Sequence, residues 1–328
     1  MRPFAYARAT DVDGALTALA DAPEAKFLGG GTNLVDLMRL GVETPATLVD
    51  VTRLPLGQVR ESPGGGVIIG ATVRNSDLAG DVLVRHGYPA LAEALLAGAS
   101  GQLRNRATVG GNLMQRTRCL YFQDITKPCN KREPGTGCPA RDGEHTNLAI
   151  IGQSEHCVAT HPSDMAVPLA AFDAVVRVVG SAGERTIPLV DFHRLPGDEP
   201  ERDTVLGDDE LITEVELPPL AVAAHSTYRK VRERASFSFA LVSLAAALDV
   251  ADGTVRDVRL ALGGIAHKPW RASAAEAALR GAPVTEQSFA RAADAELAHA
   301  TPLRDNGFKV QIARNLIVQT LLELAEPR

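Results

Sequence analysis

All four cysteines of the chain fall within one segment, from Ala99 to Cys157, that is crowded with residues which interrupt regular backbone. The cysteines are Cys119, Cys129, Cys138 and Cys157, and the interrupting residues between them are Pro128, Pro134, Gly135, Gly137, Pro139 and Gly143. Proline lacks the amide hydrogen that helices and central strands need, so no continuous helix or strand crosses the segment. Because connections beyond about 12–15 residues without secondary structure are usually functional or disordered, four thiols gathered here indicate a loop whose order comes from a bound centre.

The composition limits the classes of protein to which the chain can belong. At 328 residues it exceeds one typical domain, so two or three domains are expected. Hydrophobic residues make up 45% and charged residues 23%, as in globular proteins with a sizeable core. A net charge of -6 and only 4% aromatic residues leave neither a basic stripe nor a stacking platform, so nucleic acid is not an expected partner.

The first residues and the apolar runs indicate whether the protein is exported or inserted into a membrane. Met1 to Tyr6 contains neither the apolar stretch nor the cleavage site of a secretory signal, so the sequence by itself predicts a cytoplasmic protein. Export together with a signal-bearing partner would instead place the protein in the periplasm. The longest mainly apolar run, Phe239 to Leu248, is shorter than the about 20 residues that a helix needs to cross a bilayer, so no membrane span is expected.

Near the N-terminus, three consecutive glycines, Gly29 to Gly31, stand between a predicted strand and a predicted helix. The strand is expected at Ala25–Leu28, the helix follows its capping residue Thr32, and a strand at Thr47–Val51 completes a small βαβ element. Glycines here expose backbone N–H groups at the positive end of a helix, where a phosphate can approach closely. The residue order matches neither Gly-x-Gly-x-x-Gly nor Walker A, and a plain tight turn is the structural alternative.

The remaining patterns predict an α+β protein of three units. After a strand at Val67–Gly70 and two short helices, the strands are mostly antiparallel candidates, including one at Cys157–Thr160. Three strands that begin at Thr227 are followed by helices, the first of them at Trp270–Leu279. The expected bounds are 1–57 for the βαβ unit, 58–222 for a second unit with a cysteine-rich insertion at about 114–158, and 223–328 for the third.

Four motifs resemble those of one protein family, and they come in that family's order. They are Lys26-Phe-Leu-Gly-Gly-Gly-Thr-Asn-Leu34, Ala107-Thr-Val-Gly-Gly-Asn-Leu113, Ser163-Asp164 and Tyr228-Arg-Lys230. Together they closely resemble the FAD-binding subunit of the molybdenum hydroxylases, the family of xanthine dehydrogenase and carbon monoxide dehydrogenase. The resemblance covers essentially the whole chain. It implies a two-part FAD-binding fold of the vanillyl-alcohol-oxidase (PCMH) type and a C-terminal domain of a three-stranded antiparallel sheet with helices.

The resemblance also implies cofactor contacts, residue by residue. The FAD pyrophosphate would be wrapped by the first glycine motif, that is, by Lys26, Phe27, Leu28, Gly29, Gly30, Gly31, Thr32 and Asn33. The resemblance places Thr108, Gly111 and Asn112 on the other side of the cofactor, Asp164 at its ribityl or ribose hydroxyls, and Lys230 near the flavin ring. From the residues alone, Asn112 is a turn residue, Asp164 an N-cap for a helix starting at Met165, and Lys230 a solvated strand residue.

The spacing of the cysteines does not by itself name a bound centre. No Cys-x-x-Cys pair is present, so a [4Fe–4S] cluster, a zinc site, and disulfides or free thiols all stay open. Basic residues crowd the same loops, where their charge either offsets an anionic thiolate cluster or stays in solvent: Arg116, Arg118, Lys127, Lys131, Arg132 and Arg141.

Most FAD subunits of the family lack such an insertion. The stretch from Gln115 through Cys138, together with Ser154 to Asp164, resembles the corresponding part of the bacterial periplasmic aldehyde oxidoreductases. In those proteins the FAD subunit carries an additional [4Fe–4S] cluster. This resemblance implies that the cluster ligands here are Cys119, Cys129, Cys138 and Cys157.

What the family resemblance implies for function is electron transfer. Aldehyde oxidation to a carboxylic acid would take place at a molybdenum cofactor on a large partner subunit. Electrons would then pass through [2Fe–2S] clusters of a small partner subunit to FAD on this chain and on to an external acceptor, within a heterotrimer. No catalytic residue is assigned to this chain, which has no hydrolase signature. Two alternatives are a self-sufficient flavin oxidase with its own substrate pocket and a zinc-stapled binding module without redox chemistry.

Overall fold

A computed structural model describes residues 1–326, so the last two residues of the third predicted unit lie outside the described part. The first of its three sheets contains three parallel strands with β3 in the centre: β1 (Ala5–Arg8), β2 (Ala25–Leu28) and β3 (Thr47–Asp50). Helices α1 (Val12–Ala20) and α2 (Leu34–Leu40) connect these strands in chain order. The sheet thus contains the βαβ element predicted around the glycine loop.

Two local details of this first sheet differ from the prediction. The N-cap of α2 is Asn33 rather than Thr32, and its side chain makes no capping hydrogen bond. The strand β1 was not predicted, because its residues are mostly exposed and give the sequence no apolar alternation. It is held instead by parallel pairing with β3, in which Ala5 lies opposite Thr47.

The second sheet has five antiparallel strands: β4 (Val59–Glu61), β5 (Val67–Gly70), β6 (Val175–Gly180), β7 (Gly183–Pro188) and β8 (Leu211–Leu217). Their order is β4-β5-β8-β6-β7. Along β6 the buried residues Val176 and Val178 alternate with partly exposed ones, so one face of the sheet enters the core. That core is completed by residues from α3 (Asn75–Gly80), α4 (Val82–Gly87), α5 (Pro89–Ala97), α7 (Val109–Leu113), α9 (Ala166–Ala171) and α10 (Leu189–Phe192).

After the short helices α6 (Gly101–Arg104) and α7, the cysteine-rich insertion at about 114–158 contains little regular structure, as its prolines and glycines predict. It holds one helical turn, α8 (Leu120–Gln123), and a short 3-10 turn at Pro139–Arg141. The strand predicted at Cys157–Thr160 is wrong: the stretch is irregular, and Val158 shares a single 2.8 Å backbone hydrogen bond with Ala149. A short apolar run of this kind is buried here by side-chain packing rather than by strand pairing.

The third sheet is antiparallel, in the order β12-β11-β10-β9: β9 (Ser226–Val231), β10 (Val242–Ala251), β11 (Thr254–Gly263) and β12 (Trp270–Arg271). The helices α11 (Ser273–Leu279), α12 (Glu286–Leu297) and α13 (Phe308–Ala325) follow it. The α+β class and the antiparallel C-terminal sheet are confirmed. The sequence predicts three strands in this sheet, whereas the structure has a fourth, β12. The two residues of β12 are predicted to begin the next helix instead. Among residues 1–326, no helix is long and apolar enough to cross a membrane.

Candidate functional site

The two glycine motifs pack directly against each other. A Cβ atom added to Gly30 would lie only 2.1 Å from the carbonyl oxygen of Arg106, and one added to Gly29 would lie 2.8 Å from Thr108 Oγ1. Gly31 has a φ of +77°, a left-handed conformation that residues with side chains disfavour. The first motif therefore needs glycine both for its turn and for the close approach of a second backbone segment.

A cavity of about 1090 Å³ lies beside these motifs, and we call it the large cavity. Its volume is at the upper limit of known small-molecule sites, which span about 300–1,000 Å³. Nine of the predicted cofactor residues line it: Lys26, Phe27, Gly29, Gly30, Gly31, Thr32, Asn33, Thr108 and Gly111. The other four, Leu28, Asn112, Asp164 and Lys230, lie outside its lining.

Asn33 has a polar atom that the protein leaves unused. Its Oδ1 accepts a 2.9 Å hydrogen bond from the backbone amide of Arg116, whereas its Nδ2 is buried without a partner among residues 1–326. A buried donor without a partner is unfavourable, and a ligand oxygen would remove that penalty. The glycine cradle and this free donor together fit an anionic group such as the pyrophosphate of FAD.

Asn112, Asp164 and Lys230 belong to a hydrogen-bonded group between the second glycine motif and the third sheet. Ser163 Oγ donates to Asn112 Oδ1 at 2.7 Å. Asp164 accepts a 2.6 Å hydrogen bond from Tyr228 Oη and forms a 2.8 Å ion pair with Lys230 Nζ. The lysine side chain is only 3% exposed, so Lys230 is not a solvated strand residue. The structure thus joins the second, third and fourth motifs.

The alternative role of Asp164 as a helix cap is not observed. Helix α9 starts at Ala166, and the backbone amide of Ala166 donates a 3.1 Å hydrogen bond to Ser163 Oγ. The serine therefore supplies the side-chain acceptor at this helix end, and the carboxylate of Asp164 is directed to the third sheet.

A chain of alternating charges runs from the first glycine motif to the cysteine segment. Lys26 pairs with Glu43, whose other oxygen accepts a 2.8 Å hydrogen bond from Arg116. Arg116 pairs with Asp203 at 2.7 Å, and Asp203 pairs with Lys131 at 2.5 Å. Burial alone would raise the pKa of the Asp203 carboxyl, but Lys131 and Arg116 outweigh burial and hold that pKa well below its usual range. These two basic residues therefore do not stay in solvent.

Glu43 and Asp203 were not singled out from the sequence. Each carboxylate is far along the chain from its partner Arg116, by 73 residues for Glu43 and 87 for Asp203. A single sequence indicates an ion pair only when opposite charges are suitably spaced along a helix or across a hairpin. Neither carboxylate has such a spacing to Arg116.

The four cysteines line one small cavity, which we call the cysteine cavity. Cys119, Cys129 and Cys157 are buried, Cys138 is half-buried, and no disulfide joins them. Burial raises the pKa of the Cys119 thiol to about 11. A hydrogen bond from the Cys157 thiol lowers the pKa of Cys138, and the same bond together with burial raises the pKa of Cys157.

The donor set of the cysteine cavity fits a metal centre that takes four thiolate ligands. A [4Fe–4S] cluster takes four thiolates, and four thiols surround this cavity. Nearby backbone amides act to lower the pKa of the Cys119 and Cys138 thiols, which favours the thiolate form that a metal binds. Within the described residues, no group of three or more His, Cys, Asp or Glu side chains, the four cysteines included, is arranged to hold one metal ion.

Three histidines line the large cavity: His193 and His267, which are buried, and His161, which is half-buried. The rings of His161 and His193 lie 4.2 Å apart, and His267 Nε2 lies 3.2 Å from Cys157 Sγ. Burial lowers the pKa of His193 to about 4 and that of His267 to about 3, so both are neutral at pH 7. Of these three histidines, only His161 lies close to a cysteine along the chain, shortly after Cys157. His267 is 110 residues from Cys157 and carried no signal.

The fold, with a large cavity beside two glycine motifs that pack together, fits an FAD-binding protein. The FAD binding domain in molybdopterin dehydrogenase matches residues 2–220, and the CO dehydrogenase flavoprotein C-terminal domain matches residues 226–324. The chain therefore belongs to the FAD-binding medium subunits of the molybdenum hydroxylase family, which are subunits of oxidoreductases. The family resemblance read from the four motifs is confirmed.

Individual relatives agree with this assignment. The chain is 49% identical over 325 residues to the aldehyde oxidoreductase FAD-binding subunit PaoB of Escherichia coli, covering 98% of each chain. It is 28% identical to the glyceraldehyde dehydrogenase medium chain of Sulfolobus acidocaldarius, over 83% of this chain and 79% of that one. Among solved structures, carbon monoxide dehydrogenase from Hydrogenophaga pseudoflava superposes with a TM-score of 0.75 and 27% identity, over 98% of this chain and 97% of that one.

Proposed function

We propose that this chain is the FAD- and [4Fe–4S]-containing electron-transfer subunit of a molybdenum-dependent aldehyde oxidoreductase. It would receive electrons from [2Fe–2S] clusters of a small partner subunit and deliver them to an external acceptor. The observation that carries this proposal is that the large cavity and the cysteine cavity share the side chain of Lys131 in their walls. Centres bound in these two cavities would be immediate neighbours.

For FAD, we assign the pyrophosphate to the first glycine motif, from Lys26 to Asn33. The free Nδ2 of Asn33 is a donor for a phosphate oxygen, and Thr108 with Gly111 closes the cradle from the opposite side. Bound FAD supplies the capacity to exchange electrons singly or in pairs. We place Asn112 with Thr108 and Gly111, Asp164 at the ribityl or ribose hydroxyls and Lys230 near the flavin ring. The hydrogen-bonded group of Asn112, Asp164 and Lys230 ties the second glycine motif to the third sheet.

For the cluster, we assign Cys119, Cys129, Cys138 and Cys157 as ligands. The protein supplies positive charge close to these thiols, because Lys131, whose side chain is only 2% exposed, lines their cavity and its charge acts to lower the pKa of Cys157. A nearby cation favours the thiolate form that iron binds. Arg132 helps to hold the loop, since its guanidinium donates to the carbonyl oxygens of Tyr121 and Phe122 at 2.5 and 2.6 Å.

The aldehyde chemistry is assigned to partners. The proposal places the molybdenum cofactor on a large subunit and the [2Fe–2S] clusters on a small one, in a heterotrimer with this chain. It rests on the 49% identical relative, whose name identifies it as the FAD-binding subunit of an aldehyde oxidoreductase. We keep the three units at 1–57, 58–222 and 223–328, and we leave the compartment to be set by the partner that carries an export signal or lacks one.

One sample tests both cofactors. An absorption spectrum of anaerobically purified protein should show flavin bands with a broad iron–sulfur background, and the same sample should contain iron and acid-labile sulfide in equal amounts, four of each per chain. Flavin without iron would refute the cluster assignment. Zinc without flavin would refute nearly the whole proposal and support the binding module.

A cysteine substitution tests the ligand assignment. Cys129→Ser replaces a thiolate by a poor iron ligand and should abolish the iron–sulfur content, while the flavin is retained. Thr126→Ser, at an exposed position of the same segment, is the matched control and should leave both contents unchanged. Unchanged iron content in Cys129→Ser would exclude this residue as a ligand.

A reduction experiment separates the electron-transfer subunit from a self-sufficient flavin oxidase. Mixed anaerobically with an aldehyde, the purified chain alone should keep its flavin oxidised, and the assembled complex should reduce it. Reduction by the isolated chain would show that the chain holds its own substrate site.

A further inference from the structure

His267 connects the two cavities. Its side chain lines the large cavity, and its Nε2 lies 3.2 Å from the Sγ of Cys157, which lines the cysteine cavity. The residue is only 8% exposed. Within residues 1–326, it is the one histidine with a hydrogen bond to a cysteine sulfur. Packing alone does not explain why a polar side chain is buried at this junction.

The contact fixes the tautomer of the imidazole once Cys157 is a thiolate. A thiolate has no hydrogen to donate, so Nε2 must carry the hydrogen and donate it to Sγ. The second ring nitrogen, Nδ1, is buried and has no partner in the described part of the chain. Buried polar atoms are nearly always hydrogen-bonded, so the sulfur contact is the interaction that accounts for a histidine here.

We propose that His267 is a positioning residue for the cluster, which it influences by donating its Nε2–H to the Sγ of Cys157 and so raising the reduction potential of the bound [4Fe–4S] centre. This inference rests on the proposed function, because it requires the cluster to be present. A reduced cluster carries one more negative charge than an oxidised one. A hydrogen bond to a ligand sulfur stabilises the more negative state more strongly and therefore favours reduction.

The neighbouring groups do not replace this contact. Lys131 acts on Cys157 through its charge, but it is paired at 2.5 Å with Asp203, which compensates much of that charge. The backbone of Ala159 also acts to lower the pKa of Cys157, and it is the same in every side-chain variant. The His267 contact is thus the part of this environment that a substitution removes selectively.

The test is a potentiometric titration of the full chain in its purified complex, followed by the electron paramagnetic resonance signal of the reduced cluster. His267→Leu removes the donor at similar volume and should lower the equilibrium constant for cluster reduction about tenfold, equivalent to about 59 mV for one electron. His267→Gln keeps an N–H donor and should restore most of the potential. His193→Gln changes another histidine of the large cavity, one that has no hydrogen bond to a cysteine, and should leave the potential unchanged.

Wild-type protein carrying nitrogen-15-labelled histidine provides a second readout that does not depend on how His267→Leu folds. Pulsed electron paramagnetic resonance of its reduced cluster should detect a coupled histidine nitrogen. The absence of this nitrogen coupling would overturn the inference. Equal cluster reduction potentials for wild type and His267→Leu, or equal shifts of that potential for His267→Leu and His193→Gln, would also overturn it. Wild-type complex without iron and sulfide on this chain would overturn the proposed function instead, so the two failures are distinguishable.

Discussion

Gly30→Ala should weaken FAD binding because the new methyl group has no room. Its carbon would lie 2.1 Å from the carbonyl oxygen of Arg106 and 2.9 Å from the Cα of Ala107, both of them backbone atoms. Ordinary contact begins near 3.4 Å, so the two glycine motifs would have to separate by about 1.3 Å. Overpacking of this kind costs about 1–3 kcal/mol, and a backbone cannot relieve it by changing rotamer.

If this separation distorts the cofactor cradle, the same energy is lost from the free energy of FAD binding. The dissociation constant for FAD should then be about 5 to 150 times larger. The assay is fluorescence titration of the flavin-free full chain with FAD, together with the flavin content of the protein as purified. Gly101→Ala is the matched control, because it makes the same substitution close to the second glycine motif where the added carbon meets nothing within 4 Å. It should bind FAD as the wild type does.

Melting temperatures separate loss of the site from loss of the fold. The expected pattern is a Gly30→Ala protein that melts cooperatively, within a few degrees of the wild type, but holds less FAD. An unchanged dissociation constant in a folded Gly30→Ala protein would refute the inference that the close approach of the two motifs forms part of the cofactor site.

Three further predictions concern buried charges. Asp203→Asn removes the carboxylate that buried Lys131 and partly buried Arg116 share, and it should lower the free energy of unfolding in urea by about 3 kcal/mol, the lower end for breaking a buried pair because Asp203 is partly exposed. Lys230→Met leaves the Asp164 carboxylate buried without its ion-pair partner, and a loss of about 3–5 kcal/mol is expected in the same assay. Burial lowers the pKa of Lys309 to about 7, whereas an unfolded lysine has a pKa near 10.4, so between these values the unfolded state binds more protons. The unfolding free energy of the wild type relative to Lys309→Met should therefore rise with pH from about 7 to 10.5 in urea titrations.

Matched controls exist for all three. Asp198→Asn, at a side chain that is 98% exposed, and Lys127→Met, at an exposed position, should each change the unfolding free energy by less than about 0.5 kcal/mol. Losses in Asp203→Asn or Lys230→Met no larger than these would mean that the ion pairs add nothing to stability. A pH slope that is the same in the wild type and Lys309→Met would show that the lysine does not titrate in this range.

Local sequence patterns went far in this chain because much of the fold is locally encoded. The strand Ala25–Leu28 has the predicted bounds, and the lack of regular structure across the cysteine segment follows from its prolines and glycines. Local patterns failed where tertiary contacts determine the secondary structure of a stretch. The strand at Ala5–Arg8 depends on its parallel partner, and Trp270–Arg271 pairs with the third sheet although its residues read as the start of a helix.

The sequence by itself, together with its family resemblance, singled out the candidate site residues: two glycine motifs, four cysteines and the pair Asp164 and Lys230. These are short stretches whose residue types are dictated by backbone conformation or donor chemistry, so they can be recognised without knowing the fold. Only the tertiary structure decided how they meet. The contact between His267 and Cys157 and the pairing of Asp203 with Arg116 and Lys131 join residues far apart along the chain, because buried polar groups are matched by whatever packing brings beside them.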